Sequence, residues 1–193
     1  MASEAFLSPE SSFKMSGKPA HLNGKTRTTL DFWQWAYSDL MQNITRGYVA
    51  QYIVAWALGI DDKPTVPWLP FDLVLHDGRK IEVKSTAYLQ AWKQPDKILP
   101  PRFVLSPRLA WSDEEGLAKA ATWNADVYVL CYFHSTNLKT ADIMDLDQWK
   151  FWVFDKKELI TMLNSRKTLT VQRLEKEGHK PVTAFGLRSA IMG

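Results

Sequence analysis

Between Phe71 and Lys84 the chain reads FDLVLHDGRKIEVK, and the numbering of its apolar residues constrains its folding more than any other feature. Phe71, Leu73, Leu75, Ile81 and Val83 are all odd; Asp72, Glu82 and Lys84 are all even. Side chains alternate between the two faces of a strand, and directly opposed residues in a hairpin share a face, so paired numbers must add to an even total. A two-residue Asp77-Gly78 turn would pair His76 with Arg79, an odd total, and would put Asp72 on the face opposite Glu82. A three-residue loop, His76-Asp77-Gly78, with Gly78 in the left-handed conformation, pairs Leu75 with Arg79. The apolar pattern therefore selects the three-residue loop. That loop sets Asp72 opposite Glu82, with Lys84 one step further along the same face.

Two carboxylates opposed on a sheet repel one another. A divalent cation between them removes the conflict, and carboxylate oxygens are hard ligands suited to Mg²⁺, with Mn²⁺ as a substitute. Lys84 would then hold a water or help to deprotonate it, while the ion polarises a phosphoryl oxygen. The plain alternative is a solvated hairpin face with a Glu-x-Lys ion pair. An acid at the matching parity on the preceding strand shifts the weight towards a site.

Around the hairpin the reading is mixed α/β in a single domain spanning residues 28–193, preceded by a flexible Ser-, Lys-, Gly- and Pro-rich arm over residues 1–27. Thr28 and Asp31 resemble a helix-start box before an aromatic helix. A second helix is expected over about Thr45 to Leu58, with Asn43 as its N-cap, Gly59 as its stop and apolar residues around most of its circumference. TAYLQAWKQ reads as a short helix, PDKILPPRFVLSP as too proline-rich for regular structure, and LAWSDEEGLAKAATW as a possible further helix. ADVYVLCYF, continuous and rich in β-branched and aromatic residues, is the expected buried central strand. WKFWVFD is a second strand, KKELITMLN a helix after it, and TVQRLEKEG and VTAFGLRSAIM two short final helices.

The hairpin in this context resembles the PD-(D/E)xK nuclease superfamily, whose pattern is an acid on one strand and Glu/Asp-x-Lys on the next, preceded by a helix and followed by a helix and a strand. Asp72 and Ile81-Glu82-Val83-Lys84 fit it, and the resemblance covers roughly Thr45 to Phe133. It implies a restriction endonuclease-like core, a mixed central sheet flanked by helices. It also implies a Mg²⁺-dependent endonuclease or exonuclease acting on nucleic acid, DNA more than RNA. Asp72 and Glu82 would be metal ligands, with the Val83 carbonyl a third, and Lys84 would be the catalytic lysine. Pro70 is separated from the first acid by Phe71, and Gln51 stands where many members carry a Glu. An inactive nuclease-like domain that binds nucleic acid or a protein partner is the alternative that Gln51 raises. Gln51, Tyr88 and Gln90, the last two on the helix expected after Lys84, are candidates for substrate contact. So are Lys93 and Arg102, which with Lys97 and Arg108 form a basic series beside the site.

Composition narrows the rest. Nine Trp require that several pack internally. A net charge of +3 permits a polyanionic partner without demanding one. The single cysteine, Cys131, sits in an apolar run and reads as a core residue; with no disulfide framework, a cytoplasmic location is expected. The four His lack metal-ligand spacing and no Gly-rich phosphate loop occurs, which argues against zinc and NTP chemistry. No apolar run is long enough for a membrane span, so no membrane partner is expected. With no helix-turn-helix motif, target recognition falls to the C-terminal third, to a protein partner or to a homodimer.

Overall fold

The computed structural model describes residues 27–62, 64–66, 69–91, 99–112 and 116–193. Of the arm expected over residues 1–27, all but Arg27 lies outside them, as do Lys93 and Lys97.

The first element, α1 (Thr29–Tyr37), starts where the sequence says it should. Thr28 accepts from the Asp31 N–H through its hydroxyl, and the Asp31 carboxylate accepts from the Thr28 N–H at 2.6 Å, which closes a capping box. Those hydrogen bonds hold the Asp31 carboxyl below its ordinary pKa. The helix buries none of its residues. The next helix, α2 (Asn43–Leu58), begins two residues earlier than the apolar pattern implies; its N-cap is Gln42, so Asn43 opens the helix instead of capping it. Gly59 ends it at φ 72°, the left-handed conformation that a side chain would strain. Only one side of α2 is buried, through Val49, Ala50, Ile53, Val54 and Leu58. Tyr48, Tyr52 and Trp56 on the other side are exposed, which corrects the expectation of burial around most of the cylinder.

The central sheet has four strands in the order β1 (Leu73–Val74), β2 (Lys80–Ala87), β6 (Val127–Phe133) and β7 (Trp149–Asp155). Its pairing is mixed: β1 with β2 antiparallel, β2 with β6 parallel, β6 with β7 antiparallel. Every residue of β6 is buried, as a central strand with both faces covered must be. Register assigns the two faces. Ile81, Val83, Val129, Cys131, Phe133 and Phe151 pack against α2 and the C-terminal helix. Tyr128, Leu130, Tyr132, Trp152 and Phe154 pack on the opposite side, the face that Glu82 and Lys84 share. Among the described residues Trp149 and Trp152 are the buried indoles.

Two short strand pairs and a bend replace elements read differently from the sequence. The proline-rich stretch contains β3 (Arg102–Val104), which pairs with β8 (Thr168–Thr170) more than sixty residues away. The expected helix in LAWSDEEGLAKAATW is instead a small hairpin of β4 (Trp111–Ser112) and β5 (Gly116–Leu117). TAYLQAWKQ is no helix in its described part: Thr86 and Ala87 finish β2, and the chain from Tyr88 to Ala91 bends away from it. After β7 come α3 (Lys156–Leu163), capped by the Asp155 carboxylate on the Glu158 N–H at 2.7 Å, then α4 (Val171–Lys176) and α5 (Leu187–Met192). These C-terminal helices are the expected ones. The architecture is mixed α/β with a central mixed sheet flanked by helices. Among the described residues no helix is long and apolar enough to cross a membrane.

Candidate metal and anion site

The hairpin adopts the register that residue parity demands. Leu73 pairs with Ile81 and Val74 with Lys80. The Leu75 N–H donates to the Arg79 carbonyl at 2.9 Å, the Gly78 N–H donates to the Leu75 carbonyl at 3.0 Å, and Gly78 has φ 86°. Just beyond the strand the Asp72 N–H donates to the Ile81 carbonyl at 2.9 Å, which keeps Asp72 beside the residues that follow Ile81 on β2.

β1 stops at Leu73, and this early ending builds the site. Had the strand continued, Phe71 would have supplied the backbone partner of Val83. Instead the Val83 N–H donates to Asp72 Oδ2 at 2.7 Å, so a carboxylate completes the ladder where the strand has left it. The N–H and C=O of one strand residue point to the same edge, so the Val83 carbonyl faces the Asp72 side as well. The other Asp72 oxygen, Oδ1, accepts from Gln51 Nε2 at 2.9 Å, and Gln51 Oε1 accepts from the Thr65 hydroxyl at 3.2 Å. Gln51 reaches the acid around the sheet edge from α2.

Glu82 is only 6 % exposed, and its Oε1 accepts from Lys84 Nζ at 2.5 Å. One ammonium thus faces two carboxylates. Burial, and next the nearby Glu82 charge, push the Asp72 carboxyl up to about 6; the Val83 hydrogen bond and the Lys84 charge pull the other way without cancelling them. Burial is the larger cause and the neighbouring carboxylate the smaller one. The oxygens gathered there belong to two carboxylates and a carbonyl, all hard donors, and they suit a small hard dication. Among the described residues no three His, Cys, Asp or Glu side chains come together as a metal-binding group.

Glu82 and Lys84 open onto a crevice between the sheet and the loops flanking the small β4–β5 hairpin. Its walls include Ser106, Arg108, Trp123 and Tyr128. The Trp123 ring meets Tyr128 edge-on at 5.6 Å. Burial pushes the Tyr128 phenol up to about 12, so it stays protonated at neutral pH. Burial, with the Asp72 charge second, also pushes the Cys131 thiol well up, consistent with its reading as a core residue.

Of the residues expected at the site, Asp72, Glu82, Lys84, Val83 and Gln51 come together. Tyr88 and Gln90 lie in the bend beyond β2, where the Tyr88 N–H donates to the Phe133 carbonyl at 3.2 Å and Gln90 Nε2 to the Ala87 carbonyl at 2.8 Å. The Tyr88 ring packs on the second core cluster. Arg102 is exposed on β3, opposite Thr170. Sequence reading passed over Arg46, which is 4 % exposed and donates to the Met41 carbonyl at 3.0 Å, Asn43 Oδ1 at 2.6 Å and Ser85 Oγ at 3.3 Å. It ties the start of α2 to the strand carrying Glu82 and Lys84. Its burial takes the guanidinium down to about 10. A lone basic residue in an apolar helix was the available signal.

No protein-family model matches the chain, and no curated protein sequence matches it.

Proposed function

We propose that the chain is a metal-dependent nuclease of the PD-(D/E)xK type, with a restriction endonuclease-like core, that hydrolyses phosphodiester bonds in nucleic acid, DNA more than RNA. The observation that carries this reading is the meeting of the Asp72 carboxylate, bonded to the Val83 N–H, with the enclosed Glu82–Lys84 ion pair at the open end of β1. Mg²⁺ or Mn²⁺ held by Asp72, Glu82 and the Val83 carbonyl would polarise the phosphoryl group and offset the charge that develops on it. Gln51 and the Val83 N–H orient the Asp72 carboxylate from two sides. Lys84, its ammonium bonded to Glu82 Oε1, would position the attacking water and offset the negative charge that builds on the phosphoryl oxygens. Purified protein incubated with linear, circular and single-stranded DNA and with RNA, in Mg²⁺ or Mn²⁺, tests the reading. Wild type that cuts no better than Lys84→Ala would remove the case for catalysis.

A second reading is a catalytically silent domain that binds nucleic acid or a protein partner. It is favoured by the neutral Gln51 amide against Asp72 and by the exposed rings of Trp33, Trp35, Tyr48, Tyr52 and Trp56. Titration calorimetry separates the two: Mg²⁺ binding that Asp72→Ala and Glu82→Ala both abolish supports the nuclease.

A further inference from the structure

We propose that Arg108 is the residue that grips a backbone phosphate of the nucleic-acid strand above the Asp72–Glu82 pair. The identity of the anion rests on the nuclease reading; the placement of the guanidinium does not.

Arg108 is held by its backbone and left uncommitted by its side chain. Its N–H donates to the Thr122 carbonyl and its carbonyl accepts from the Thr122 N–H, each at 2.9 Å, an isolated bridge between two loop segments. Asn124 Nδ2 donates to the same Arg108 carbonyl at 3.1 Å, and the Thr122 hydroxyl donates to Asn124 Oδ1 at 2.7 Å. The Cα is therefore fixed in a stretch that is otherwise irregular. The side chain lines the same crevice as Glu82 and Lys84, and its charge lowers the proton affinity of Asp72 and Tyr128.

Several other cations of the described structure are committed to partners. Lys84 is bound to Glu82, Arg79 to Asp77 and Arg173 to Glu177. Arg46 and Arg188 donate to neutral groups of the fold. Arg108 forms no ion pair with a described carboxylate, yet it shares the crevice with Glu82 and its charge is felt at Asp72.

A guanidinium offers parallel N–H donors matched to two oxygens of one phosphate, which a point-charge ammonium does not. Charge balance points the same way. Asp72 and Glu82 against Lys84 and Arg108 make a neutral set, so a dication turns the crevice positive towards a phosphodiester. Without Arg108 that excess is halved. Trp123 and Tyr128 line the same crevice and lower its polarity on one side, which strengthens a charged contact there.

The test measures binding of a duplex and of a single-stranded oligonucleotide to the full chain carrying Lys84→Ala, in Mg²⁺, across a salt series. Thermal melts serve as the folding control. Adding Arg108→Gln should weaken binding about tenfold at low salt. It should also flatten the salt dependence by about 0.9 for duplex or about 0.7 for single strand, the loss of one phosphate contact. Arg108→Lys should keep the slope and lose several-fold in affinity. Arg108→Gln binding with unchanged affinity and slope overturns the proposal, and so does a chain that binds neither oligonucleotide. If wild type binds through Arg108 yet cuts nothing, Arg108 stands and the nuclease reading falls. If wild type cuts and Arg108→Gln binds and cuts equally well, the nuclease reading stands and Arg108 falls.

Discussion

Gln51 Nε2 donates to Asp72 Oδ1 at 2.9 Å, so a neutral amide from α2 occupies the place where a carboxylate would add a third negative charge. Gln51→Glu would replace that hydrogen bond by repulsion among three acids. In EDTA the variant should melt several degrees below wild type, and Mg²⁺ or Mn²⁺ should restore most of the loss. Calorimetry should show metal bound at least about tenfold more tightly, because affinity at oxygen sites rises with ligand charge. A variant as stable as wild type in EDTA would mean that Gln51 does not sense the acid pair.

The pH dependence of stability follows from Asp72. Its folded pKa of about 6 lies above the unfolded value of 3.8, so the folded state binds the proton more tightly. Its contribution to stability is therefore fully present below pH ~4 and is lost as pH rises through about 6. The loss is at most about 3 kcal/mol, from roughly two pKa units. Asp72→Asn does not titrate, and Gln51 can rotate its amide to accept from the new side chain. In EDTA, melting temperatures of Asp72→Asn should gain on wild type between pH 4 and 6 and hold that lead above it. A constant difference across this range would place the strain elsewhere.

Lys84 and Glu82 depend on one another, since the pair is largely enclosed. Lys84→Ala leaves Glu82 buried without its cation and should destabilise the metal-free protein by roughly 3 kcal/mol. Added Mg²⁺ should recover more stability in this variant than in wild type. Its rate of phosphodiester cleavage should fall by at least about 100-fold. A melt unaffected by Mg²⁺ in both proteins would argue against an ion at the acid pair.

Gly78 carries the register. At φ 86° a Cβ would meet no neighbouring atom, so Gly78→Ala should cost only the left-handed backbone, about 1 kcal/mol. In a chain of this length that is about 2–4 °C in melting temperature. Gly78→Asn should cost less, since Asn tolerates that conformation better. A loss far larger for Ala would show that the loop had changed type and moved Asp72 off Glu82.

Arg46 joins α2 to β2 through three neutral partners. Arg46→Ala should destabilise by about 2–4 kcal/mol by chemical denaturation. Arg46→Lys should rescue little, because one ammonium cannot reach all three acceptors. Full rescue by lysine would show that only the charge matters.

Legibility in the sequence followed the range of the interaction that decides each element. The Thr28–Asp31 box and the Gly59 stop of α2 are settled within a few residues, and both could be read off directly. Unbroken apolar residues over β6 announced a strand covered on two faces. The second face of α2 misled, because Tyr48, Tyr52 and Trp56 are apolar yet face outwards. β3 and β8 were illegible because each three-residue strand is stabilised only by the other, far away in sequence. The Ala-rich stretch before Trp123 has good helix formers, and the chain nevertheless uses residues on either side of it for the β4–β5 hairpin and the Arg108–Thr122 bridge.

What the amino-acid sequence determined by itself is the hairpin's register, since side-chain alternation and one glycine turn are local constraints and bring Asp72, Glu82 and Lys84 to one face. Tertiary structure decided what that face meets. The early end of β1 turned the Asp72 carboxylate onto the Val83 N–H, and the packing of α2 brought Gln51 against it. A bridge between loops set Arg108 across the crevice. These depend on where separate segments come to rest, and residue spacing carries no record of a distance through space.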